Sequence, residues 1–282
     1  MSRELADKLF TALSWVGVGL SCSILLFLFA VIAWNGARAV DLRFLFTASR
    51  DFGAAGGIFY QILGSLLLVV VAALICLPIA LGTALFKSEY MKRAKTKKLC
   101  ALLVYGLNGV PSIIFGIFGL LFFVNILGTG ISWLVGSVIL AIMMLPTVVL
   151  ATYHAVSSIP VSYRESASAL GLNKWQVITK VLLPQGIGGA ITGLFLGLAR
   201  AVGETAPIMF IATAFSGVKI PGSVFEPVVA LPTHILLLAQ QATHPQALKN
   251  AWGASFVLIA LVTLFSVLGL WSRVKTKTVT TR

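Results

Sequence analysis

Charge is scarce in this chain. Of its 282 residues only 10% are charged, whereas soluble domains carry roughly 25%. With 59% hydrophobic residues and a mean hydropathy of +1.01, the composition excludes an ordinary water-soluble globule and places the chain in a bilayer. Cysteine is scarce too. Cys22, Cys76 and Cys100 stand singly, far apart and inside or beside apolar runs. That pattern has neither metal-ligand spacing nor disulfide logic, and buried apolar thiols are expected. His154, His234 and His244 are isolated, no H-E-x-x-H motif occurs, and no Ser-His-Asp or Cys-His arrangement follows from the spacing. Each histidine is expected to be an ordinary loop or interface residue, and the chain is not read as an enzyme. The phosphate-binding loop G-x-x-x-x-G-K-[ST] is absent as well, so the chain itself is expected neither to bind nor to hydrolyse ATP, and no cofactor or metal site is expected in it.

Six apolar runs are long enough to span a bilayer, given about 20 residues per helix. They lie near 13–35, 58–86, 99–124, 131–153, 186–214 and 251–272. The net charge of +13 is explained by where the basic residues fall between these runs. One side of the membrane receives Arg3 and Lys8, the cluster Lys87, Lys92, Arg93, Lys95, Lys97 and Lys98, then Arg164, Lys174 and Lys180, and finally Arg273, Lys275, Lys277 and Arg282. The other side receives Arg38, Arg43, Arg50, Lys219 and Lys249, and Arg200 alone lies within a run. The positive-inside rule therefore puts both termini in the cytoplasm. No basic stripe with interleaved aromatics occurs, so the charge reads as topology, with lipid headgroup contact at the C-terminal cations, and nucleic acid is excluded as a partner. Ala37-Arg38-Ala39 has the form of a signal cleavage site, but the apolar run before it exceeds the 7–15 residues of a signal sequence, and a retained first helix is expected. The fold class is all-α, a polytopic membrane protein: 1–55 an N-terminal transmembrane helix and external loop, 56–272 the membrane domain, 273–282 a basic tail.

Between the fourth and fifth runs lies a polar segment with its own helix signals, PVSYRESASALGLNKWQVITKVLLP, residues 160–184. Pro160 disfavours helix at Ile159, and Ser162 with Glu165 three positions on has the form of a capping box, predicting a helix from about Tyr163. Gly171 suits the left-handed conformation that closes a helix, Asn173 suits an N-cap, and Pro184 ends the second helix or opens the next span. The segment resembles the EAA loop of the membrane subunits of bacterial ABC importers: Glu165, Ser166 and Ala167, then Gly171, then Val181-Leu182-Leu183-Pro184, with Ser166 departing from the usual Ala. The resemblance implies a loop, centred on Glu165, Ala167 and Gly171, that docks on an ATPase subunit.

The fifth run carries the other informative stretch, Arg200-Ala201-Val202-Gly203-Glu204-Thr205-Ala206-Pro207. Arg200 and Glu204, four apart, share a helix face about midway through the bilayer. Each ion there costs about 2.5–3.5 kcal/mol on insertion scales unless paired or wetted. Two readings follow. The pair holds the bundle together, or Arg200 offers charge and donors to a crossing anion while Glu204 orients it, with Thr205 supplying a hydroxyl. Pro207 cannot donate to the Gly203 carbonyl and loosens the helix beside the pair. In the third run, Gly106, Gly109, Gly116 and Gly119 suit close helix packing, Asn108 and Ser112 are i,i+4 neighbours able to bond across an interface or line a path, and Pro111 predicts a kink.

The run ARAVGETAPI is similar to the equivalent stretch of PstA-type phosphate permeases, as are Gly56-Gly57-Ile58 leading to Leu63-Gly64-Ser65-Leu66, Lys87-Ser88-Glu89-Tyr90, and Val110-Pro111-Ser112-Ile113-Ile114-Phe115-Gly116. Phe59-Tyr60-Gln61-Ile62 and Ser65 depart from that pattern. The resemblance implies a subunit of the bacterial inner membrane that pairs with a sister permease and two copies of an ATPase subunit, which would bind ATP and Mg, while a periplasmic phosphate-binding protein delivers substrate. A sulfate or molybdate permease would also bury charge here, but an aromatic and small residues are expected after its Gly-Glu. A secondary anion transporter would show an internal repeat, and none is evident.

Overall fold

The computed structural model describes residues 3–215, 220–241 and 243–280, with side chains over 7–215, 220–241 and 243–274. Lys219 and Arg282, and the side chains of Arg3, Lys275 and Lys277, lie outside the described residues. The helices in chain order are α1 (Arg3–Ala37), α2 (Leu42–Phe46), α3 (Phe59–Leu85), α4 (Ala94–Gly109), α5 (Ser112–Gly119), α6 (Trp133–Ser157), α7 (Val161–Ala169), α8 (Lys174–Val177), α9 (Leu183–Val202), α10 (Ala206–Ile211), α11 (Leu231–Gln240) and α12 (Pro245–Thr280). β1 (Ser49–Arg50) and β2 (Ala55–Gly56) form a two-residue antiparallel ladder between α2 and α3.

Among the described residues, five helical stretches are long and apolar enough to cross a bilayer: Asp7–Ala37, Phe59–Tyr90, Trp133–Ser157, Lys174–Val202 and Pro245–Val274. The sixth expected span is not one straight helix. Ala94–Gly109 and Ser112–Ile126 meet at 92°. Pro111 has no N–H to donate and forces its predecessor out of the helical region, so Val110 (ψ 127) and Pro111 (ψ 136) are both extended. The kink expected at Pro111 is therefore a right-angled break, and Asn108 and Ser112 sit on different helices rather than on one face.

The fifth span also departs from expectation. Helix runs from Lys174 through a π-helical turn at Ile178–Leu182 to Val202, so Pro184 opens α9 without ending what precedes it. It then breaks at Gly203–Thr205 before α10, one turn upstream of Pro207, which takes an early position in α10 where its missing N–H is harmless. Pro207 separates two helices where a loosened single one was expected.

The core is built by α3, α6 and α9, with Leu68, Ala72, Cys76, Ile139, Met144 and Val148 almost fully buried. Small residues set the spacing. A Cβ on Gly193 of α9 would stand 2.6 Å from Ala151 Cβ of α6, and Gly197 meets Met144 and Val148, the middle of α6. Expectation placed this kind of packing in the third run. There, Gly116 and Gly119 do meet Pro207 and Ile211 closely, but nothing stands within 4 Å of a Cβ at Gly106 or Gly109. α12 packs on α9, with Gly269 against Phe195, and α1 packs along α12, with Gly36 against Phe256. Between Leu9 and Phe29 the surface of α1, including Cys22, is exposed and mostly apolar, so the expected burial of that thiol does not hold.

The segment between α10 and α12 contains α11. Val228 and Thr213 form a bridge, the backbone N–H of Leu231 donates to Ser65 Oγ at 2.8 Å, and Val229 lies over Gly64 at the start of α3. Chain direction alternates along the bundle, so the start of α1 and the end of α12 share one end with α7 and α8, and α11 lies at the other.

Candidate functional site

Two places hold the residues singled out in the sequence. The first is the break in the fifth span. Arg200 stands in the last turn of α9, roughly level with the middle of α6, because Gly197 one turn before it meets Met144 and Val148. Its Nε donates to Glu204 Oε1 at 3.4 Å, and its Nη1 donates to Asn108 Oδ1 at 2.9 Å. Asn108 comes from the last turn of α4, 92 residues away in sequence. The broken third span thus delivers a neutral acceptor to the arginine, and the C-terminal ends of α4 and α9, where backbone carbonyls accumulate, meet at a cation.

The Arg200 side chain is 38% exposed and that of Glu204 is 16% exposed. The guanidinium is therefore anchored on two sides and open on the rest, so part of its five-donor fork can face a ligand. Thr205 occupies the N-cap position of α10 and makes no side-chain cap bond, which leaves its hydroxyl to other partners. Ser112 opens α5 and is half-buried, and Gly116 one turn on meets Pro207 Cα. The structure therefore brings Arg200 and Glu204 into direct contact, with Thr205 adjoining Glu204 in the chain, and connects the Pro111 and Pro207 breaks through α5 and α10. Asn108 was legible as a polar residue in an apolar run, but no sequence signal joined it to Arg200. An open groove of about 540 Å³ lies elsewhere, between α6, α9 and α12, and is lined by His154, Tyr163, Gln185, Thr192 and Arg273 among others; Arg200 does not line it.

The second place is the loop of residues 160–184. α7 begins at Val161 behind an extended Pro160, with no side-chain cap. Ser162 thus falls inside the first turn, past the cap position, and the expected Ser162–Glu165 capping box does not form. Gly171 has φ +79, as its role in closing α7 requires, and Asn173 caps α8 through a complete box with Gln176, both bonds at 2.9 Å. Ala167 faces inward and packs with Val156, Ile159, Val177, Ile178 and Leu182. Glu165 and Gly171 are exposed. So are apolar side chains that a polar loop has no reason to show, Leu170 at 83% and Trp175 at 67%.

A helical membrane bundle with an ion pair at a helix break and an ordered, apolar-tipped loop at one end suits a membrane translocation subunit. The match to known families agrees. Residues 76–274 match the family of binding-protein-dependent transport system inner membrane components, and the chain belongs to it: it is a permease subunit of an ABC importer. It is similar to the probable ABC transporter permease protein YqgI of Bacillus subtilis, with 32% identity over 96% of each chain. It is likewise similar to the phosphate transport system permease protein PstA of Pasteurella multocida, with 30% identity over 94% of this chain and 93% of the relative. PstA of Haemophilus influenzae is 31% identical over 93% and 90%. In solved structures the same fold occurs in a bacterial alginate ABC transporter (TM-score 0.65, 16% identity, 98% and 96% covered) and in the methionine ABC transporter MetNI (TM-score 0.58, 20% identity, 78% and 94% covered). The expected all-α, multi-span fold is the fold observed.

Proposed function

We propose that this subunit carries inorganic phosphate across the bacterial inner membrane. The observation that carries the reading is Arg200, a cation near mid-bundle that is held by Glu204 and Asn108 yet still 38% exposed. An arginine meant only to knit helices together has no need of a free face, whereas one that meets an oxyanion needs part of its fork unoccupied. Glu204 offsets its charge when no anion is present, and Thr205 adds a hydroxyl beside it. The names of the PstA relatives support phosphate as that anion.

The subunit would work with a sister permease, two copies of an ATPase subunit that hold ATP and Mg, and a periplasmic phosphate-binding protein. Both termini and the 160–184 loop would face the cytoplasm, in line with the basic residues that flank them. The loop would dock on the ATPase through Glu165 and the exposed Leu170 and Trp175, with Gly171 setting its turn and Ala167 fixing it to the bundle. ATP-driven closure of the ATPase pair would then swing the loop and turn the pathway from inward to outward facing.

The test is initial uptake of radiolabelled phosphate at micromolar concentration, with labelled sulfate in parallel, in cells lacking every other phosphate importer. Phosphate uptake alone should depend on this chain, and Arg200→Gln should abolish it while the complex still assembles. Chain-dependent sulfate uptake would overturn phosphate as the substrate, and loss of assembly in Arg200→Gln would return the residue to a purely structural role.

A further inference from the structure

At the loop end of α3 the helix widens into a π-helical turn, Phe86–Tyr90, and three of its side chains each hold a different helix. Lys87, only 5% exposed, places Nζ 4.2 Å from the ring centroid of Tyr153 on α6. Tyr90 lies under Nζ of Lys174 on α8, at 5.7 Å. Between them, Glu89 Oε1 accepts from Arg164 of α7, 3.3 Å from Nε and 3.2 Å from Nη2, and from the Ser88 hydroxyl at 2.8 Å.

Arg164 reaches further still. Nη1 donates to the Ile159 carbonyl at 2.7 Å, just past the end of α6, and Nη2 to the Val156 carbonyl at 3.0 Å, which also accepts from the Ile159 N–H. One guanidinium thus ties α7 to α6 and α3 together. Its side chain is 21% exposed and that of Glu89 17%, so the pair is shielded from water on most sides. Its chain neighbour Glu165 is exposed. Adjacent residues of α7, about 100° apart round the helix, therefore meet different surroundings, Glu165 outside and Arg164 towards the bundle. From this clasp α3 runs unbroken back to Phe59, where Gly64 and Ser65 hold Val229 and Leu231.

We propose that Arg164 and Glu89 are a positioning pair that passes displacement of the 160–184 loop into α3, and through α3 to the 228–240 segment at the opposite end of the bundle. The proposal rests on the reading of that loop as the ATPase-docking element. It assigns to Glu89 and Arg164 a task that neither docking nor the pathway requires. Lysine would keep the charge at 164 but lose the planar fork that reaches two carbonyls and a carboxylate at once.

The test uses the whole complex reconstituted in lipid vesicles, with an environment-sensitive fluorophore on Ser162→Cys, exposed on α7 of the loop, or on Phe225→Cys at the far end, each in a chain with its three native cysteines replaced by alanine. In the otherwise unaltered complex, ATP with vanadate should shift the emission of both probes. In Glu89→Gln the loop probe should still respond, the far probe should not, and phosphate uptake per ATP hydrolysed should fall at least about fivefold. Copurification of the ATPase subunits checks assembly, and Arg164→Lys replaces Glu89→Gln if that variant fails the check. Failure of both variants to copurify, a far probe that responds normally in either variant, or a far probe silent in the unaltered complex would overturn the proposal. Two responding probes without phosphate uptake in the unaltered complex would overturn the substrate instead and leave the clasp standing.

Discussion

His234, on α11, is 6% exposed, and its Nδ1 lies 3.5 Å from Gln61 Nε2, while its Nε2 and Gln61 Oε1 have no hydrogen-bond partner among the described residues. Burial pushes its pKa from 6.5 down to about 4, because the imidazolium cannot be solvated there. The neutral ring is the form that the fold accepts, so its contribution to stability is fully present above about pH 6.5 and is lost as pH falls towards 4. The loss amounts to about 3 kcal/mol at most. In detergent, the melting temperature should therefore fall by several degrees more between pH 7 and pH 4.5 in the wild type than in His234→Gln. Equal falls would place the acid sensitivity elsewhere. From the sequence this histidine is expected to be an ordinary loop or interface residue, because a lone His between Thr233 and Ile235 carries no sign of the buried Gln61 across from it. Arg200 shows the same limit: its charge in an apolar run was legible, but its bond to Asn108 was not, since nothing local announces a contact across 92 residues.

Individual helices were legible where the backbone itself is constrained. The turn at Gly171 and the cap at Asn173 follow from local chemistry and are found as expected. The Ser162 capping box failed for an equally local reason, because Pro160 starts α7 two residues earlier than the serine would have. The right angle at Val110–Pro111 was not legible beyond a kink, since hydropathy reports that a run is apolar and says nothing of its direction. Gly171 offers a clean test of an element boundary. No atom lies within 4 Å of where its Cβ would be, so a substitution there acts through backbone strain alone. Gly171→Asn, which tolerates the left-handed region, should keep near-normal phosphate uptake. Gly171→Val should cost about 1–2 kcal/mol in that turn and lower uptake several-fold. Equal uptake by the two variants would show that the turn does not set the pose of the loop.

Across the whole molecule, the alternation of helix direction makes orientation a single choice. If the loop end is cytoplasmic, Trp175→Cys should react with a membrane-impermeant maleimide only after spheroplasts are opened, whereas Phe52→Cys, 63% exposed beside the β1–β2 ladder, should react in intact ones. The reverse pattern would invert the topology. The wild-type chain, with Cys22, Cys76 and Cys100, supplies the background. At the loop end, α7 and α8 are held by their own contacts: Gly171 closes α7, Asn173 and Gln176 cap α8, and Ala167 anchors the pair to the bundle. Little backbone entropy remains there to be lost on association, so a partner docking on the exposed Leu170 and Trp175 would meet a preformed knob and would have only side-chain and rigid-body freedom left to give up.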